Sequence, residues 1–335
     1  MIKRQLKQIV KRFADIYPLV GITGPRQSGK TTLARDVFRH LPYVSLENPD
    51  TRAYATEDPK DFLKEYKEGA IFDEIQNVPH IFSYLQEIVD LDPRKGRYVL
   101  TGSNNFSLNQ HISQSLSGRI GVSSLLPLSL AELNLTSRNL DSNKYIFKGF
   151  YPKIYADDMK ATEFYPSYIQ TYLERDVRQL QNIQDFIKFQ NFLKLCAGRI
   201  GQLVNLSSLA QDCGISQPTA KNWLEVLQAS YVVYLLLPYH NNFNKRIVKM
   251  PKLYFYDTGL ACNLLGLELE GQLATHYLKG GLFENLVVAE FVKARLNKGM
   301  PANIYFWRDR TGDEIDLLVE VGGMTHAIEI KSSAT

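Results

Sequence analysis

The stretch LVGITGPRQSGKTTLARDVF, Leu19 to Phe38, constrains the fold of this chain more than any other. Its apolar start reads as a buried strand and TTLARDVF as a helix. The loop between them has the spacing G-x-x-x-x-G-K-T, with Gly24, Gly29, Lys30 and Thr31 at the fixed positions. Strand, glycine loop and helix in that order make a phosphate cradle, because the glycines let backbone N–H groups close on a phosphate at the positive end of the helix. The nucleotide-binding residues are then Gly24, Pro25, Arg26, Gln27, Ser28, Gly29, Lys30, Thr31 and Thr32. Lys30 would reach the β- and γ-phosphates and the Thr31 hydroxyl would ligate Mg²⁺. ATP and Mg²⁺ are the expected ligands.

From residue 1 to about 155, apolar runs such as YVSLE, GAIFDE and RYVLTGS alternate with amphipathic helical segments. That rhythm predicts a doubly wound, largely parallel α/β sheet, active at the carboxyl ends of its strands. GAIFDE ends in Asp73, placed to hold Mg²⁺ through water, and Glu74, placed to polarise an attacking water. Ser103 and Asn104, the polar tip of YVLTGSN, would reach the γ-phosphate from the adjacent strand. Arg119 in SLSGRI would stabilise charge in the transition state, from its own or a neighbouring subunit. A structural ion pair is its other reading.

The 335 residues suffice for two or three domains, and a net charge of +4 permits nucleic acid without implying it. Cys196, Cys213 and Cys262 have no metal-ligand spacing and read as buried thiols in a reducing compartment. The start MIKRQLKQIVKRF is no secretory signal, and the longest apolar stretch, YVVYLLL, is far too short to cross a membrane. A cytoplasmic location without a membrane partner is expected. None of the six histidines is paired for a metal. Near the amino terminus Lys3, Arg4, Lys7, Lys11 and Arg12 oppose Leu6, Ile9, Val10 and Phe13, as in a solvated helix covering the P-loop domain.

From 156 to 251 the pattern turns helical. Asn205 or Ser207 can cap one short helix, Gly214 makes a turn, and Ser216 caps a second helix with Pro218 in its first turn. A β-like run follows, which is the order of a winged helix-turn-helix. Gln217, Thr219, Lys221 and Asn222 would face duplex DNA, with Lys245, Arg246 and Lys249 as a basic wing on phosphate. A winged helix used for protein contact competes with this.

From 252 to 335 strands and helices mix, ending in DEIDLLVEVGGMTHAIEIKSS, Asp313 to Ser333. Read as a hairpin, it puts Asp316 on one strand and Glu329 and Lys331 on one face of the other. With Glu284 on the helical GLFENLVVAEFVKARL, these residues have the order of a PD-(D/E)XK nuclease core. Glu284, Asp316 and Glu329 would hold a second metal, and Lys331 would stabilise the phosphate in flight. Alternating charge on a solvated strand gives a similar pattern. In such folds a helix and strand follow the lysine-bearing strand, while this sequence ends four residues after Lys331. Either the chain is truncated or the site is degenerate, and an inactive, nuclease-like scaffold is expected over active cleavage.

Along the whole chain GPRQSGKTT, FDEIQ, LTGS, SLSGR, YLERDV, YDTGL, FENLVVAEF, FWRDRTGDEID and IEIKSS resemble the AAA+ ATPases. More narrowly, they are similar to the bacterial and archaeal family that joins an AAA+ domain to a C-terminal domain of uncharacterised function. The resemblance implies an AAA+ P-loop ATPase domain at 1–155, a helical winged-helix region at 156–251 and a small restriction-endonuclease-like α/β region at 252–335. It also implies Mg-dependent ATP hydrolysis in a homo-oligomer. That hydrolysis would drive a DNA-binding, nuclease-like module, or else switch the assembly or release of a protein partner without DNA. The family's GG-x-P turn stands here as GFYP, Gly149 to Pro152, where Phe150 would be strained if the position needed φ > 0.

Overall fold

The computed structural model describes residues 2–103, 115–135, 141–173, 185–240, 250–309 and 311–332. The chain forms two compact units, one of Lys3–Leu126 with Leu296–Met300, the other of Met1–Ile2, Pro127–Arg295 and Pro301–Thr335.

In the first unit β1 (Leu19–Thr23), β2 (Tyr43–Ser45), β3 (Ala70–Asp73), β4 (Tyr98–Gly102) and β5 (Ile120–Ser124) make one parallel sheet in the order β2-β3-β4-β1-β5. The central strands are near-continuous apolar runs because both sheet faces are covered. Alternate residues divide between two cores. Leu19, Phe72, Tyr98 and Leu100 pack with Phe62, Phe82 and Leu85, from α4 (Pro59–Glu65) and α5 (Ile81–Leu91). Val20, Ile22, Ile71 and Val99 pack with Leu6, Val10, Leu33 and Phe38, around α1 (Lys7–Ile16) and α2 (Lys30–Val37). Proline and a side-chain cap start α3 (Pro49–Glu57), where Asn48 accepts from the Asp50 and Thr51 amides. β1 lies between β4 and β5, so the glycine loop leaves an interior strand at the sheet's carboxyl edge.

The second unit starts with α6 (Ser142–Lys148), α7 (Pro152–Ala156) and α8 (Ala161–Tyr168). Residues 127–155, grouped in sequence with the P-loop part, put Leu128, Ile146, Phe150, Tyr151 and Ile154 into this unit's core. Next come α9 (Phe186–Ala197), α10 (Leu206–Cys213) and α11 (Gln217–Ala229). Asn205 caps α10, Gly214 takes φ 63° at its end and Ser216 caps α11. Trp223 of α11 is buried edge-on against Phe189 and Phe192 of α9. An antiparallel pair, β6 (Val233–Leu236) and β7 (Lys252–Phe255), follows. Then come α12 (Thr258–Leu264), α13 (Lys279–Leu296) and a three-stranded antiparallel sheet. Its strands β8 (Ile304–Arg308), β9 (Glu314–Val321) and β10 (Met324–Ile328) lie in the order β10-β9-β8.

The GFYP turn is pinned by one buried carboxylate. Asp257, ahead of α12, accepts from the Phe150 amide at 2.7 Å, the Tyr165 hydroxyl at 2.6 Å and the Leu260 amide at 2.9 Å. Gly149 is the residue at positive φ, 68°, and a Cβ there would collide with the Tyr165 hydroxyl and lie 2.7 Å from Asp257 Oδ1. Phe150 is not among the positive-φ residues, so its bulk is tolerated and goes into the core.

Candidate functional site

The glycine loop has the backbone its spacing requires. Gly24 takes φ 144° with its α-carbon against the Leu125 carbonyl, where no Cβ fits, and Gly29 takes φ 94° just before α2. The Lys30 ammonium is buried and donates to the Gly24 and Pro25 carbonyls, at 3.0 and 2.9 Å, inside the loop. Gln27 is held at φ 60°. Among the described residues, Gln27 Oε1 and Ser28 Oγ are buried without a hydrogen-bond partner. Arg26 pairs with Glu47 at 2.8 Å, and Thr32 is exposed. A cradle closed to Cβ atoms, with a buried ammonium and orphaned polar atoms, fits a nucleotide phosphate.

Thr31, first turn of α2, donates to Asp73 at the end of β3, at 3.1 and 3.0 Å from its two oxygens. Tyr43 on β2 donates to Asp73 at 2.7 Å, and Thr101 on β4 donates to it from the other side. Three hydroxyls from three elements thus fix one carboxylate beside the loop. Burial and the Asp73 hydrogen bond push the Tyr43 hydroxyl up to about 12, so it stays a donor. Thr31 and Asp73 are an oxygen donor set suited to Mg²⁺.

Glu74 follows at φ 54°, an uncommon conformation for a residue with a side chain. Its Oε2 accepts from the Ser103 amide at 3.1 Å, the Ser103 hydroxyl at 3.0 Å and the Gln76 amide. Burial pushes the Glu74 carboxyl up, but the Lys30 and Arg26 charges, with Gln76 and Ser103, outweigh it and hold it below the usual carboxylate range. Glu74 is therefore an anion at neutral pH. Ser103 lies where the strand-tip reading put it, while Asn104 falls outside the described residues.

Arg119 stands elsewhere. Its carbonyl accepts from Leu19 N at the start of β1, whereas the glycine loop leaves the other end of that strand. Five residues at about 3.3 Å each put roughly 15 Å between the two edges. The guanidinium is engaged by both oxygens of Asp90, at 2.5 and 2.8 Å. Reaching the phosphates of its own subunit is excluded by this placement, which leaves a neighbouring subunit's site or the ion pair alone.

Sequence reasoning missed Tyr43, at the start of β2, Thr101, near the end of β4, and Gln76, in the turn after β3. It also missed Arg4, whose guanidinium donates at 2.6 Å to both the Ser28 and Leu126 carbonyls. The amino-terminal segment is a clamp on the loop as well as a solvated face.

In the second unit Glu284, Asp316, Glu329 and Lys331 are not gathered into one metal site. Glu284 on α13 accepts from the Lys252 ammonium at 3.2 Å and from the Tyr254 hydroxyl. Lys252, buried at the start of β7, also pairs with Glu314 of β9. An ammonium thus takes the position between two carboxylates that a divalent cation would need. Burial pushes the Glu284 carboxyl up, opposed by Lys252, and the Asp316 charge adds to the rise. Asp316 accepts from the Ile330 amide at 2.8 Å, which holds the segment after β10 against β9. β10 ends at Ile328, and both Glu329 and Lys331 are exposed beyond it. Among the described residues no three His, Cys, Asp or Glu side chains converge on a metal position. The residues present do not fit a second metal. The signal missed was Lys252, which no local spacing marks.

On α11, Gln217, Lys221 and Asn222 are exposed, Thr219 is half-buried, and Lys221 lies 3.8 Å from Glu225. Lys245, Arg246 and Lys249 fall outside the described residues. Among the described residues no helix is long and apolar enough to cross a membrane.

Comparison with known proteins agrees with this geometry. Residues 17–134 match a family model described as an AAA domain. Residues 139–271 and 279–335 match two domains of unknown function, DUF8612 and DUF4143. The uncharacterized protein Rv2008c of Mycobacterium tuberculosis is 31% identical over 99% of this chain and 74% of its own length. The uncharacterized protein MJ1544 of Methanocaldococcus jannaschii is 25% identical over 94% of this chain and 74% of its own. Among solved structures, the Walker-type ATPase PABY2304 of Pyrococcus abyssi aligns with a TM-score of 0.54 at 16% identity, over 79% of this chain and 96% of that one. That likeness is one of fold. With the AAA match, it identifies a nucleotide-binding ATPase domain.

Proposed function

As a chain that belongs to the same family as Rv2008c of Mycobacterium tuberculosis and carries an AAA-type ATPase domain, we propose, this protein hydrolyses ATP with Mg²⁺ at the carboxyl edge of its parallel sheet and does not cleave nucleic acid. One observation carries the reading: the Glu74 carboxyl group is held by Ser103 next to the Thr31–Asp73 pair. Thr31 and Asp73 would hold Mg²⁺, which when bound neutralises charge on the phosphate oxygens. Lys30 exchanges its loop carbonyls for phosphate oxygens as ATP enters. Glu74 accepts the proton of the attacking water. Turnover of ATP by the wild-type chain, abolished in Lys30→Ala and Glu74→Gln, tests this.

The lysine-filled acidic cluster supports the second half of the reading, because no divalent cation enters between Glu284 and Glu314 while Lys252 stays there. Intact plasmid after incubation with ATP and Mg²⁺ or Mn²⁺ is the matching result. A second reading, in which the ATPase is coupled to duplex DNA, draws on the capped α10–α11 turn with Gln217, Lys221 and Asn222 exposed. DNA-stimulated turnover would favour it. DNA-independent turnover, with an oligomer size that differs between ATP and ADP, would favour a switch acting on a protein partner.

A further inference from the structure

The amino-terminal segment and a distant stretch of the chain line one basic cavity. Lys3, Arg4, Lys7 and Lys11 lie along one side and Lys298 closes the other, around a volume of about 620 Å³. Among the described residues, the remaining lining is made of amides, Gln5, Gln8 and Asn297, with no carboxylate and no aromatic ring. Asn297 donates to Gln5 at 3.4 Å, which ties the two walls together. Gly299, at φ 68°, sits so close to Ile9 of α1 that a Cβ would lie 2.8 Å from its side chain. The convergence of residues nearly three hundred positions apart separates this from a merely solvated helix face.

From this geometry we infer that the cavity binds the phosphate backbone of a nucleic-acid duplex, at a site that adjoins the nucleotide loop through Arg4 and does not include α11. Like-charged side chains crowded into a concavity repel one another and are relieved by an anion. Lys7 and Lys11 are one helical turn apart, about 6 Å, so successive cations meet a line of charges rather than one. A membrane surface is the wrong occupant, because Leu6 and Val10 are buried in the first unit's core and Ile9 and Phe13 pack against it, which leaves no broad apolar face to insert. Single strands are held by stacking on aromatic rings, and this cavity has none. Amides and ammonium groups suit the phosphates and sugars of a duplex, read without base sequence. Lys7 is shared with Asp36 at 2.5 Å and Arg4 with the loop carbonyls, so Lys3, Lys11 and Lys298, all exposed, are the groups to test.

The test uses the full chain without nucleotide and a fluorescently labelled duplex DNA, titrated at several salt concentrations. The variant Lys3→Glu/Lys11→Glu/Lys298→Glu is expected to bind at least ten-fold more weakly. Its plot of log affinity against log salt should be shallower by about 2.7, or 0.9 for each lost contact. Lys3→Gln/Lys11→Gln/Lys298→Gln should fall between it and wild type, and both should still bind a fluorescent ATP analogue, which shows that the fold is kept. Unchanged affinity and salt slope in the charge-reversed variant would overturn the inference. So would loss of binding to polyglutamate, with equal strength and the same variants, since that would mark a site for acidic polypeptide. Loss that follows Lys221→Glu in place of the cavity variants would overturn it as well.

Discussion

The hydroxyl of Thr31 lies 3.0 Å from Asp73 Oδ2, joining the first turn of α2 to the end of β3. Tyr43 shares the same oxygen at 2.7 Å. Asp73 is therefore positioned by its neighbours before any ligand arrives. Asp73→Ala should lower ATP turnover by two orders of magnitude or more, in line with the roughly 10²–10³-fold typical of a lost charge-stabilising group. Tyr43→Phe, which removes one of three hydroxyls, should cost about 1 kcal/mol, or roughly five-fold. Steady-state turnover of the two variants side by side checks the ranking.

Lys252 should prove structural. Lys252→Met would remove the ammonium between Glu284 and Glu314, leaving Glu284 unpaired by it and Glu314 only the exposed Arg308 at 3.5 Å. The expected loss is about 2–3 kcal/mol, below the range for a fully buried pair because both carboxylates keep some contact with water. Adding Glu284→Gln to Lys252→Met should recover part of it. Denaturant unfolding of the three proteins measures the difference.

Gly149→Ala should destabilise the second unit by more than about 2 kcal/mol, through a strained backbone and a clash with Tyr165 and Asp257. Phe150→Gly, in contrast, should be costly only through the lost core side chain. Thermal unfolding of both variants separates the two causes.

Asp257 gives a pH dependence with a definite sign. Burial raises its carboxyl, and the Tyr165 hydrogen bond, the Lys293 charge and the Leu260 and Phe150 amides only partly oppose this. Between the ordinary carboxylate value and the raised native one, the folded chain holds a proton that the unfolded chain has lost. Its contribution to stability is thus full below the ordinary value and falls as pH rises through that window. The difference in unfolding midpoint between wild type and Asp257→Asn, followed against pH, should slope in that window and be flat on either side.

The loop from Gly24 to Thr32 was legible in sequence because its chemistry is local: spacing, flanking strand and following helix lie within twenty residues. Asp73 and Glu74 were legible for a similar reason, since a strand of an α/β sheet ends at the active edge. The partners of those residues were not. Tyr43 and Thr101 meet Asp73 only because β2 and β4 flank β3, and strand order is a tertiary fact. Arg4 and Lys252 were hidden for a further reason: a cation in sequence looks the same whether it faces water, a carbonyl or a buried carboxylate. The alternation around Asp316 was read correctly as a strand, but the next strand, β10, ends at Ile328 and leaves Glu329 and Lys331 outside the sheet. Phosphate-loop geometry is coded by contiguous residues, while a charge cluster is coded by packing.

The most direct measurement is the rate of ATP hydrolysis by the wild-type chain with Mg²⁺, compared with Glu74→Gln, with nucleotide affinity measured in parallel. Hydrolysis at this edge predicts turnover in wild type and a loss of roughly 10²–10⁴-fold in the variant, with affinity for ATP retained. Equal turnover in the two proteins would contradict the assignment of Glu74, and no turnover in wild type despite tight ATP binding would contradict the proposal as a whole.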